Sequence, residues 1–188
     1  MSNRSLFVIA ALLAALLLSA LFIRPDNLAP PLDFALRSAD GPVKLIDQRG
    51  KVALVYFGYT ACPDICPTAL VSVGGALRQL RPEDLGKVAA FFISVDPERD
   101  KPEGLKEYAR FFHPAIIGAT GTPDEIKRVA QRWRVFYAKQ PATEDGRYSV
   151  DHSSECFVVG PDGRLIARLP HGSPPEKIVA EIRRALKQ

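Results

Sequence analysis

The run VALVYFGYTACPDICPTAL, residues 52–70, passes from an uninterrupted apolar segment into a turn carrying two cysteines, and then into a helical segment. Val52 to Phe57 lacks polar–apolar alternation, which predicts a central strand buried on both faces. Pro67 suits the first position of a helix reaching Leu80, because its missing N–H would be unpaired there anyway. Gly74 and Gly75 weaken the middle of that helix and suit close packing on the sheet. Cys62 and Cys66 thus follow directly on a central strand, and in open α/β sheets reactive groups collect at the carboxyl ends of strands.

The same alternation of strand and helix continues outward from this run. Before it, Leu32 to Leu36 and Val43 to Ile46 flank an Ala-Asp-Gly-Pro turn, as in a hairpin. After it, Val88 to Val95 reads as a second buried strand, Pro102 to Phe112 as a helix and Ile116-Ile117 as a short strand. Pro123 to Trp133 is a further helix, with Thr122 as N-cap and Glu125 in the capping-box position. Cys156 to Val159 and Arg164 to Leu169 flank Gly-Pro-Asp-Gly, a hairpin signal, and Pro174 to Leu186 closes the chain as a helix. Alternating elements with a late antiparallel hairpin predict an α/β fold, a thioredoxin-like mixed sheet flanked by helices over residues 32–188.

The chain has 188 residues, of which 47% are hydrophobic and 24% charged, a globular composition with enough apolar residues for one core. Its formal charge of +4 arises from interspersed acidic and basic residues, so the sequence gives no support to nucleic-acid binding. Leu6 to Ile23 carries no charge and has the length of one transmembrane helix. Residues 1–24 are therefore expected to form an N-terminal membrane anchor, and the proline-rich residues 25–31 a stiff linker. A cleaved signal peptide is the alternative, but Ala20 has Leu18 two places before it where cleavage wants a small residue. Arg4 and the terminal amine would hold the N-terminus in the cytoplasm, so that the globular domain faces outward.

Two thiols four residues apart, between prolines, are partly preorganised whether or not a ligand is present. If Pro67 begins the helix, Cys66 lies at its N-cap, where the positive end of the dipole favours thiolate. A stabilising disulfide closes too short a loop to gain much, leaving a redox dithiol or a metal site. A third ligand separates these two, and His152 is the candidate, in a polar stretch expected as a loop beside the cysteine turn. Two thiolates and one imidazole suit Cu(I) and tolerate Cu(II), whereas structural zinc normally takes four ligands. Asp151 or Asp64 is a candidate to orient the imidazole or add a weak ligand. Taken alone, His152 would be an ordinary surface histidine.

The runs YFGYTACPDICPTAL (56–70), SVDPERD (94–100), DHS (151–153) and HGSPPE (171–176) resemble the Sco/SenC family over almost all of the chain after Pro31. The resemblance implies copper ligation by Cys62, Cys66 and His152, and a role in building the dinuclear copper centre of cytochrome c oxidase subunit II. It also implies a bacterial inner-membrane protein whose domain faces the periplasm. There it would receive copper from a donor, or electrons from a thiol reductant, and serve the oxidase subunit or another copper protein. Lys101 and Cys156 depart from the family pattern. Cys156 alternates with Val158 and reads as a small core residue rather than a fourth ligand or third redox partner. Asp96, Glu98 and Asp100 are expected either to rim the site or to form a solvated turn, and His113 and His171 to be loop histidines.

The leading functional expectation is a copper chaperone. The alternative is a thiol-disulfide reductase using Cys62 and Cys66 as a redox pair. A peroxidase is disfavoured, because Val55 and Tyr59 stand where the Pro and Thr of a peroxiredoxin site would precede Cys62, and Tyr59 and Pro63 do so for Cys66.

Overall fold

A computed structural model describes residues 30–187. The expected anchor, residues 1–24, and most of the expected linker lie outside the described residues. Among the described residues no helix is long and apolar enough to cross a membrane. The elements run β1 (Ala35–Ser38), β2 (Gly41–Lys44), β3 (Val52–Gly58), α1 (Ile65–Arg78), α2 (Pro82–Leu85), β4 (Val88–Ser94), α3 (Pro102–Phe112) and β5 (Ile116–Ala119). They continue with α4 (Pro123–Trp133), β6 (Tyr137–Lys139), β7 (Val150–His152), β8 (Cys156–Val159), β9 (Leu165–Leu169) and α5 (Pro175–Ala185).

The main sheet has the order β5-β4-β3-β8-β9, with β3, β4 and β5 parallel and β8 and β9 antiparallel to their neighbours. Every residue of β3 and β4 is buried, as their continuous apolar runs require. Successive β3 side chains point to opposite faces. Phe57 on one face packs edge-on against Trp133 of α4 and Phe157 of β8, with ring centroids 5.5 and 5.8 Å away. Tyr56 on the other face stacks on Phe92 of β4, which in turn meets Tyr108 of α3. The helix α1 packs against both α5 and α3. This is the mixed sheet covered by helices that the order of elements predicts.

Pro102–Phe112 and Pro123–Trp133 are helices over the predicted residues, and Thr122 and Glu125 form the reciprocal capping box. Among the details that differ are these three. The helix α1 begins at Ile65, so Pro67 is its third residue; the first-turn N–H groups need no intrahelical acceptor, and proline is tolerated there too. Gly74 serves contact with α3 rather than with the sheet, since a Cβ there would lie 2.6 Å from the Phe112 carbonyl oxygen. Residues 137–139 and 150–152 form an antiparallel pair, which places His152 at the end of a strand and not in a loop.

Candidate metal centre

The cysteine turn is fixed from beneath. Asp100, 4% exposed, accepts hydrogen bonds from the Thr60 backbone N–H, the Thr60 hydroxyl and the Ser94 hydroxyl. Asp96, equally buried, takes the Arg99 guanidinium and the Tyr148 hydroxyl. Arg99 also lies over the Tyr148 ring at 3.6 Å and donates to the Tyr148 carbonyl, tying the segment before β7 to the turn after β4. These carboxylates neither rim the site nor form a solvated turn; they are internal fastenings. Glu98 alone is exposed, paired with Lys139.

On this scaffold Cys62, Cys66 and His152 bring one ligand atom each to within 4.8 Å of one another. The Cys66 sulfur is 3.3 Å from His152 Nε2, and the Cys66 backbone N–H donates to the Cys62 sulfur at 3.4 Å. Three residues expected to converge from 86 positions of sequence separation therefore do so. Gly58 makes the approach possible: a Cβ there would stand 2.6 Å from the Cys66 sulfur. The imidazole is set by its neighbours, with Tyr59 and Tyr56 presented roughly perpendicular to it at 5.8 and 6.3 Å. His152 Nδ1–H donates to the Ser153 carbonyl at 2.9 Å, which leaves the Nε2 lone pair directed at the sulfurs.

The sequence offers Asp151 or Asp64 for that orienting role. Asp151 instead accepts from Gln140 and Asp64 from Thr68, both at the exposed surface, while the main-chain carbonyl beside His152 does the work. No sequence pattern announces a main-chain carbonyl acceptor. Cys66 also differs from expectation. It is the second residue of α1 and is fully buried, and burial pushes its thiol far above the ordinary value, offset only in part by hydrogen bonding at Tyr59. Desolvation thus outweighs the helix N-terminus, and the unliganded sulfur keeps its proton. Burial likewise lowers the His152 pKa, with the bond to Ser153 opposing in part, and so favours the neutral imidazole that coordinates metals.

All three cysteines are free thiols. Cys62 is half-buried and opens onto a cleft of about 480 Å³ shared with Tyr59, Pro63, Ile65 and His152. Cys156 is buried opposite Tyr56 in the β3–β8 register and forms no part of the cluster, as expected of a core residue. His113 is buried and accepts from the Ala115 N–H, while His171 is exposed beside Cys156; neither belongs to the cluster. Two soft sulfurs and one bare imidazole nitrogen, with no fourth His, Cys or carboxylate ligand grouped with them among the described residues, fit copper better than a closed zinc site.

The family model for SCO1/SenC matches residues 27–187. The mitochondrial SCO2 homolog of Bos taurus is 40% identical over 154 residues, 81% of this chain and 58% of that protein. The chain thus spans less than two thirds of the length of that relative. A structure of Bradyrhizobium japonicum ScoI with copper bound superposes with a TM-score of 0.76 at 40% identity, covering 84% of this chain and all of that one. A second, of BsSco, is described by its disulfide switch and as a member of the Sco family of cytochrome c oxidase assembly proteins. It gives 0.63 at 28% identity, over 84% of this chain and 96% of that one. A match over nearly the whole described domain, carried by a chain with the two cysteines and the histidine in place, leaves one assignment: this chain belongs to the SCO1/SenC family.

Proposed function

We propose that this protein is a copper chaperone, holding copper through Cys62, Cys66 and His152 and passing it to the dinuclear copper centre of cytochrome c oxidase subunit II. The observation that carries this reading is the convergence of two sulfurs and an Nε2 lone pair within 4.8 Å, with His152 already in the tautomer a metal needs. The copper-bound Bradyrhizobium relative supports the choice of metal. Unequal exposure supports transfer: Cys62 faces the cleft while Cys66 is fully buried, so an incoming ligand from an acceptor would displace the Cys62 sulfur first. The uncharged run from Leu6 to Ile23 supports a single-pass anchor in a bacterial inner membrane, with the domain in the periplasm. Equilibrium titration against a Cu(I) competitor tests the reading. His152→Ala weakens binding by at least about tenfold if the imidazole is a ligand, and equal affinities would remove it from the site.

A second reading is favoured by the disulfide switch described for BsSco. Here Cys62 attacks an oxidised pair of copper-site cysteines in the acceptor, and Cys66 resolves the mixed disulfide. The products are a Cys62–Cys66 disulfide and a reduced acceptor, with two electrons and two protons transferred. Mixing the copper-loaded protein with reduced acceptor, and the copper-free reduced protein with oxidised acceptor, separates the two. Copper in the acceptor marks a chaperone, and new acceptor thiols mark a reductase.

A further inference from the structure

Tyr56 is 1% exposed, and its buried hydroxyl has no partner in proper hydrogen-bonding geometry. A buried hydroxyl left unpaired is uncommon enough in a native interior to require an explanation. Phe92 stacks against the ring, and the His152 imidazole stands edge-on to it with centroids 6.3 Å apart. The side chain within hydrogen-bonding reach of that hydroxyl is Cys66. A Cβ placed on Gly58 would stand 3.2 Å from Tyr56 Cε1, the ring carbon beside the hydroxyl-bearing one, and 2.6 Å from that sulfur. The hydroxyl-bearing edge of the ring and the sulfur therefore flank the same glycine. The two groups also sense each other: burial pushes the phenol far up, and the Cys66 sulfur adds to the shift.

In the metal-free protein the Cys66 thiol lies 3.3 Å from the bare Nε2 of His152 and directs its proton there. A neutral thiol sulfur is a weak acceptor, so the phenol gains little from it. Metal-bound thiolate is anionic in character and accepts strongly. We infer that the Tyr56 hydroxyl donates a hydrogen bond to the Cys66 sulfur when a metal ion has replaced the thiol proton, and thereby strengthens retention of the metal. The unpaired hydroxyl is a donor held ready for the loaded state, and Tyr56 is a positioning residue that acts through Cys66. The inference rests on the copper reading above.

The test is Tyr56→Phe in the full chain, with three measurements: thermal unfolding without copper, Cu(I) affinity by competition, and the sulfur-to-Cu(II) charge-transfer band. Removing an unpaired hydroxyl leaves the metal-free protein as stable as before or more so. Losing the donor raises the Cu(I) dissociation constant by about tenfold, the scale of outer-shell partners of metal ligands, and moves the band to longer wavelength because the sulfur becomes more electron-rich. Opposite signs for stability and affinity are the signature, since a packing role would lower both. Unchanged affinity and band in the variant, or a parallel loss of stability, would overturn the inference while the copper reading stands. Failure of the unaltered protein to bind copper would sink both, and is read on that protein alone.

Discussion

Asp100, in the turn after β4, accepts both the backbone N–H and the hydroxyl of Thr60, forty residues earlier, in the turn that carries Cys62. One buried carboxylate thus fixes the main chain two residues before a candidate ligand. Asp100→Ala strands three donors, those of Thr60 and the Ser94 hydroxyl. The expected loss is about 3 kcal/mol of unfolding free energy, with copper affinity falling alongside. Denaturant unfolding of the variant checks the first part, and an unchanged midpoint would show that the turn holds itself.

Gly58→Ala tests the close approach at the sulfur. The added methyl collides with the Cys66 sulfur and with Phe92 at 3.0 Å, so one of them must move. The fold should survive at a cost of about 1–3 kcal/mol, with metal binding hit harder than stability because the sulfur lies nearest. Retained affinity together with lost stability would place the strain on Phe92 instead.

Copper affinity should rise with pH. Burial keeps the proton on Cys66 above its ordinary value of 9.0, so binding at neutral pH releases it, and affinity climbs by at least about tenfold per pH unit. The His152 pKa is lowered from 6.5, so the imidazole starts to compete with protons only below that value, where the slope should steepen. Competition titrations between about pH 4 and 9 measure both. A flat profile would mean that Cys66 does not lose its proton on binding.

Cys156 should matter to the core and not to the metal. Cys156→Ala leaves copper affinity unchanged and costs about 1 kcal/mol of packing. Burial pushes the Cys156 thiol from 9.0 up to about 12. A raised folded-state pKa contributes stability that is whole below about pH 9 and lost as pH rises towards 12. The alanine variant should therefore lose less stability than the unaltered protein over that window, as pH-dependent unfolding will show. A drop in copper affinity would make Cys156 a participant in the site.

Strong local signals made much of the fold legible in the sequence. The apolar runs of β3 and β4 declared buried strands, proline and a capping box marked α3 and α4, and Pro-Asp-Gly marked the β8–β9 turn. The three grouped residues were readable because a dense Cys-Pro-Asp-Ile-Cys-Pro motif and a DHS triplet carry them. What stayed hidden depends on contacts between distant segments. The strands β6 and β7 have three residues each, too few for a periodic pattern, and their pairing across ten intervening residues fixes His152. Asp96 and Asp100 read as site-rimming or solvated turn residues because sequence shows a charge but not its burial. The raised pKa of Cys66 follows from the depth of α1 against the sheet, which no motif records.

The most direct measurement of the central claim is X-ray absorption of the Cu(I)-loaded protein, comparing the unaltered chain with His152→Ala. Two sulfur scatterers and one imidazole nitrogen in the unaltered protein, with the nitrogen absent from the variant, is the predicted result. A first shell without both sulfurs, or the same nitrogen signal in both proteins, would contradict it.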